Sequence, residues 1–200
     1  TIPYDLVREG YDAVVGRPTV HRVPLNYGGP EGSANLIRSL KDYLGQRGNG
    51  LTKEVLDRHR IIIGPSGATS LLDGLAVVMQ PGIVVTADPM YYIYCNELER
   101  LGFEVLAVPE NDDGVNVDAV KEVLAQLGER RREIRFLYFV TINNPTCTIL
   151  ADAKRRDLVR IAEELSEESG RLVPLVLDRA YEGLIHDPDV ATPQSALVKN

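Results

Sequence analysis

Four short stretches carry side chains that could do chemistry together. The run at residues 172–177, "LVPLVL", is apolar throughout and has the look of a strand buried on both faces. It ends on a carboxylate, Asp178, with the phenol of Tyr181 three residues on. A carboxylate at the end of a dry strand is costly unless a cation meets it, so the chain must supply a cation or bind one. "INNPTC" (142–147) offers the amide of Asn144, able to donate to a phenolate or carboxylate, although Asn-Pro also marks an ordinary turn. "DPMYYIY" (88–94) offers the ring of Tyr91, suited to stacking on a flat ligand or to filling a core. "GPSGATS" (64–70) places small residues and the hydroxyls of Ser66, Thr69 and Ser70 before a helix. Free amides there cradle a phosphate, and the same residue types also serve as plain caps.

Alternating helix and strand patterns must position these stretches. Residues 32–44 are amphipathic, with Leu36, Ile37, Leu40 and Leu44 spaced three and four apart. "RIIIG" (60–64) is expected to be the first strand, and 68–79 an apolar helix closed by Pro81-Gly82. Strands follow at 83–89, 104–109 and 134–141, separated by helices at 91–101 and 117–127 and a turn around "NDDG" (111–114). A helix at 153–165 precedes the last strand. Pro174 lacks a ladder donor, so that strand starts near Leu175. The alternation implies a mostly parallel sheet covered on both faces, with the site at the carboxyl ends of its strands. All four chemical stretches fall at such ends.

Composition narrows the partners. The chain has 200 residues, 44% hydrophobic and 26% charged, and a net charge of −7, which argues against a nucleic-acid surface. The basic cluster "ERRREIR" (129–135) sits where arginines complement a helix end. No apolar run approaches the ~20 residues of a membrane span. Cys95 and Cys147 make neither a zinc cluster nor a disulfide framework, which favours a reducing, cytoplasmic setting, and no metal site is expected. The chain begins at Thr1, so a missing targeting segment carries little weight. GxGxxG and GxxxxGK[ST] are both absent, leaving the common dinucleotide and P-loop readings unsupported.

Together the four loops offer a phosphate cradle, a stacking ring, an amide donor, and a carboxylate with a phenol. Pyridoxal 5′-phosphate is a ligand that satisfies all of them, and its pyridinium is the cation Asp178 needs. In order and spacing, "GPSGATS", "DPMYYIY", "NNPT" and "DRAY" resemble the motifs of the class I/II aminotransferases, fold-type I pyridoxal-phosphate enzymes, from about residue 26 to 187. The resemblance implies a three-layer α/β fold of the aspartate-aminotransferase type. Residues 1–25 would lead in from the small domain and 26–200 form most of the large cofactor domain, stopping before its last strands and the C-terminal small domain. It implies that Gly67, Ala68 and Thr69 hold the phosphate and that Tyr91 stacks on the ring. Asn144 and Tyr181 would bond the phenolic oxygen, Asp178 would pair with the ring nitrogen, and Tyr27 would reach the phosphate of the neighbouring subunit of a homodimer.

Two positions depart from the family pattern. Cys147 replaces the glycine of "NPTG" and brings a thiol toward the expected aldehyde. The family's Schiff-base lysine lies a few dozen residues beyond the aspartate, whereas the only lysine after Asp178 is Lys199, expected to be an exposed terminal residue. The leading expectation is transfer of an amino group between an amino acid and a 2-oxo acid, without nucleic-acid or membrane partners. A lyase of the same fold, a cofactor-sensing regulatory domain, and a nucleotide- or methyl-donor-binding α/β domain are the alternatives.

Overall fold

The computed structural model describes residues 3–17, 27–46, 50–187 and 189–190. The chain divides into two units, Thr1–Leu40 with Ile61–Ile63, and Lys41–Arg60 with Gly64–Asn200. The first unit contains α1 (Tyr4–Val15) and the start of α2 (Ala34–Gly45). Within it the Ile63 amide donates to the Glu31 carbonyl at 2.9 Å.

"RIIIG" is therefore not a strand, contrary to the sequence expectation. β-branched residues favour an extended backbone, but a strand exists only through a ladder of neighbours. No ladder partner for this stretch is found among the described residues.

The second unit is built on a five-stranded sheet in the order β3-β2-β1-β4-β5. These strands are β1 (Ile83–Asp88), β2 (Glu104–Asn111), β3 (Gly114–Val115), β4 (Ile134–Val140) and β5 (Leu175–Asp178). β2, β1, β4 and β5 run parallel, and the short β3 returns antiparallel to β2 through the turn expected at 111–114. Before the sheet stands α3 (Lys53–Arg58), six residues long and capped by Thr52, whose hydroxyl accepts from the Val55 amide at 3.3 Å. It is too short for a periodic signal in the sequence.

Alternate residues of the central strands feed two cores. Val84, Phe136 and Tyr138 pack with Leu72 and Ala76 of α4 (Gly67–Val78) and with Tyr94 and Leu98 of α5 (Tyr92–Arg100). Val85, Leu137 and Phe139 pack on the opposite face. There they meet Val120 and Leu124 of α6 (Val117–Leu127) and Leu158, Ile161 and Leu165 of α7 (Asp152–Ser169). This is the three-layer α/β arrangement expected from the alternation.

β5 corrects one part of that expectation. All four of its residues are only half-buried, because among the described residues β4 is its sole partner and the strand lies at an edge of the sheet they form. Pro174 stands just outside it, donating nothing while its carbonyl accepts from the Leu137 amide at 3.0 Å. The arginine-rich segment forms a 3-10 turn, Gly128–Glu133, rather than the end of an α-helix. Its charges meet carboxylates: Arg130 pairs with Glu104 and Glu133, and Arg131 with Glu168. Among the described residues no helix is long and apolar enough to cross a membrane.

Candidate active site

β4 and β5 end level, with Val140 opposite Asp178, and the loop after β1 opens beside them. Parallel strands of similar length bring loops from distant parts of the chain to one edge. At that edge lies a cavity of about 90 Å³ whose lining includes Ala68, Thr69, Tyr91, Asn144, Asp178 and Tyr181. Val140 and Ala180 complete the wall. Six of the eight residues singled out from the sequence thus meet in one place.

The other two are placed differently. Gly67 precedes Ala68 as the first residue of α4, with φ +62, a left-handed backbone that glycine adopts without strain. Tyr27 belongs to the first unit and is wholly exposed. Lys199 falls outside the described residues.

The carboxylate of Asp178 is held from two sides. The Tyr138 hydroxyl donates to Oδ2 at 3.1 Å, and the Ala180 amide donates to Oδ1 at 3.0 Å. Its main-chain carbonyl accepts from both the amide and the hydroxyl of Thr141. Among the described residues no basic side chain pairs with this carboxylate. Tyr138 is fully buried and stacks edge-on against Tyr94, with ring centroids 4.8 Å apart. Burial, and then the charge of Asp178, push the Tyr138 phenol well above its ordinary pKa, so it stays a donor at any physiological pH. Two donors fix where the carboxylate points while leaving its charge to be met by a cation.

The Asn144 loop is clamped from β2. The Asn143 amide donates to the Pro89 carbonyl at 2.7 Å and to Glu110 at 2.5 Å, and Thr146 donates to the other Glu110 oxygen at 2.8 Å. Asn144 Nδ2 then lies 3.5 Å from the Tyr181 hydroxyl, so the two groups face a common point. At the start of α4 the first amides lack intrahelical acceptors, as at any helix N-terminus. There the Ser70 hydroxyl accepts from the Ser66 amide and donates to the Gly67 carbonyl. A larger cavity, about 540 Å³, shares Asn144 and Tyr181 and adds the apolar walls of Ile142, Ile149 and Leu184, with Cys147 and His186.

Cys147 stands at φ 61, the one non-glycine residue with positive φ among those described. Left-handed backbone costs an L-residue ~1–2 kcal/mol, partly offset on substitution by the greater freedom of glycine when unfolded. Cys147→Gly is therefore expected to stabilise the protein by roughly 0.5–1 kcal/mol, raising the thermal midpoint by about 2 °C. A thermal melt showing a lower midpoint contradicts this account.

Sequence reading missed Tyr138, Glu110 and an ion cluster joining Arg155, Glu182 and Arg179. Glu110 and Tyr138 act across 33–40 residues of chain and have no local signature. Arg155 did carry a signal: it heads the stripe Arg155, Leu158, Ala162, Leu165, a charge at the apolar spacing of a helix.

The model of the family "Aminotransferase class I and II" matches residues 21–199. Aromatic-amino-acid aminotransferase 1 of Thermococcus litoralis is 25% identical over 167 residues, 82% of this chain and 38% of that protein. YcxD of Bacillus subtilis, described as an uncharacterized HTH-type transcriptional regulator, is 27% identical over 68% of this chain and 29% of its own length. The crystal structure of an archaeal alanine:glyoxylate aminotransferase superposes with a TM-score of 0.77 at 24% identity, covering 98% of this chain and 46% of that one. The chain thus spans less than half the length of each of these proteins.

Proposed function

This chain belongs to the class I and II aminotransferase family, and on that premise we propose that its cavity binds pyridoxal 5′-phosphate for transfer of an amino group between an amino acid and a 2-oxo acid. One observation carries the reading: Ala68, Thr69, Tyr91, Asn144, Asp178 and Tyr181 converge on one cavity, and Asp178 has no basic partner among the described residues. The donor set fits the group. Amides of Gly67, Ala68 and Thr69, with the Thr69 hydroxyl, suit a phosphate at a helix start. Tyr91 supplies a ring face, Asn144 and Tyr181 supply donors for a phenolic oxygen, and Asp178 supplies the counter-charge for a ring nitrogen.

When bound, the coenzyme supplies an electron sink for a substrate carbon that loses a proton. The protein's part is to keep that sink effective. Asp178 holds the proton on the ring nitrogen, and Tyr138 and Ala180 hold Asp178. Asn144 and Tyr181 steady the phenolic edge. The reaction also needs a lysine amine, to which no described residue is assigned. The same reading makes the protein a cytoplasmic homodimer, with Tyr27 directed to the neighbouring subunit's phosphate. It also makes residues 26–200 large-domain sequence and 1–25 the lead-in from the small domain.

The similarity to YcxD favours one other reading, a cofactor-sensing domain without turnover. Incubation of the coenzyme-loaded protein with a panel of amino acids separates the possibilities. Transamination yields the 2-oxo acid with the nitrogen retained as pyridoxamine 5′-phosphate, a lyase releases ammonia, and a sensor does neither. Failure of the protein to take up pyridoxal phosphate overturns the proposal.

A further inference from the structure

We infer that the Arg155–Glu182–Arg179 ion cluster is a positioning device for Asp178, Tyr181 and Asn144; the inference rests on the cofactor reading above. Arg155 is 1% exposed, an unusual state for a charged side chain in a helix that otherwise buries only apolar residues. Its Nη1 meets Glu182 Oε1 at 2.6 Å, and its Nε donates to the Leu150 carbonyl at 3.0 Å. Glu182, itself 9% exposed, receives Arg179 on its second oxygen at 2.5 Å. Both oxygens of one carboxylate are thus taken by two guanidiniums.

The connectivity gives the cluster its role. Arg179 follows Asp178 and Glu182 follows Tyr181, so the Arg179–Glu182 pair closes the turn that carries both groups to the cavity. Arg155 fastens that closed turn to the first turn of α7. Through Leu150 it also grips the segment that leaves the Asn144 loop, and Leu150 in turn donates its amide to the Thr141 carbonyl at 2.8 Å. One buried guanidinium therefore sets the register between the loop bearing Asn144 and the turn bearing Tyr181, whose polar ends face each other at 3.5 Å. A purely structural role could be filled by apolar packing of similar volume, so the retained charges call for a reason. Holding three ligand-facing groups in register supplies one.

The test is titration of the full chain with pyridoxal 5′-phosphate, well below the melting midpoint, reading affinity and the pH dependence of the bound coenzyme's absorbance. Glu182→Gln is expected to weaken binding ~10- to 100-fold and to shift that pH dependence, since small misplacements of positioned groups have effects of this size. Arg179→Gln, which leaves the Arg155–Glu182 pair intact, should move both readouts in the same direction by less. Val120→Ala in α6 should lower the melting midpoint and leave both readouts at wild-type values. If Glu182→Gln does not fold, Arg179→Gln decides by the same criterion. Variants that melt earlier but bind and absorb like wild type overturn the inference and leave the functional reading standing. A wild-type protein that takes up no pyridoxal phosphate overturns the functional reading, and this inference with it.

Discussion

Asp178→Asn is expected to lower transamination by about 10²- to 10³-fold while leaving the fold nearly as stable as wild type. The substitution keeps the shape of the side chain and removes its charge. Asparagine Oδ1 can still accept from the Ala180 amide, and its amide can donate to the Tyr138 oxygen, which can accept one hydrogen bond, though more weakly than a carboxylate does. What is lost is the counter-charge that holds a proton on the coenzyme's ring nitrogen, and with it most of the stabilisation of a developing carbanion. The effect should fall on turnover more than on substrate binding, because the ring charge matters most as the α-proton leaves. Steady-state kinetics and a thermal melt of the same preparation check both halves. Activity within a factor of a few of wild type rules out the role assigned to this carboxylate.

Phe136→Ala is expected to destabilise the second unit by ~3–5 kcal/mol, a large share of the roughly 5–15 kcal/mol that holds most proteins folded. Phe136 is fully buried on the central strand β4, and its ring meets Phe103 edge-on with centroids 5.9 Å apart. Deleting it opens a cavity between the sheet and the α4–α5 layer that a strand paired on both sides cannot collapse to fill. Phe136→Leu keeps most of the volume and should cost less than about 1.5 kcal/mol. Urea denaturation measures both: the midpoint should fall with the slope unchanged. A loss under about 1 kcal/mol for the alanine variant contradicts the packing described for this face.

The sequence by itself determined much of this protein. The helix expected at 117–127 is α6 with the same limits, because Asn116 caps it with bonds to two amides and its apolar residues repeat at helical spacing. Strands β1, β2, β4 and β5 were legible as short apolar runs between breakers, and their alternation with helices gave the parallel sheet and its functional edge. Three of the four chemical stretches could be found because they adjoin strands β1, β4 and β5, whose ends the sequence marks, and the fourth, "GPSGATS", because its small and hydroxylated residues open α4. All these signals are local: a cap reaches three residues, a helical stripe four, and a turn two.

Only the tertiary structure decided which extended segment becomes a strand, which strand stands at an edge, and what holds the site residues in place. "RIIIG" has the local character of a strand, yet pairing requires a neighbour that local sequence cannot supply. β5 has the composition of a buried strand and is half-exposed because nothing described flanks it beyond β4. Asp178 drew notice from its type and place, but its orientation comes from Tyr138, forty residues earlier. Glu182 is fixed by Arg155, twenty-seven residues away. Such contacts form only after the chain has folded back on itself. Their geometry therefore depends on the packing of whole elements, which no short window of sequence contains.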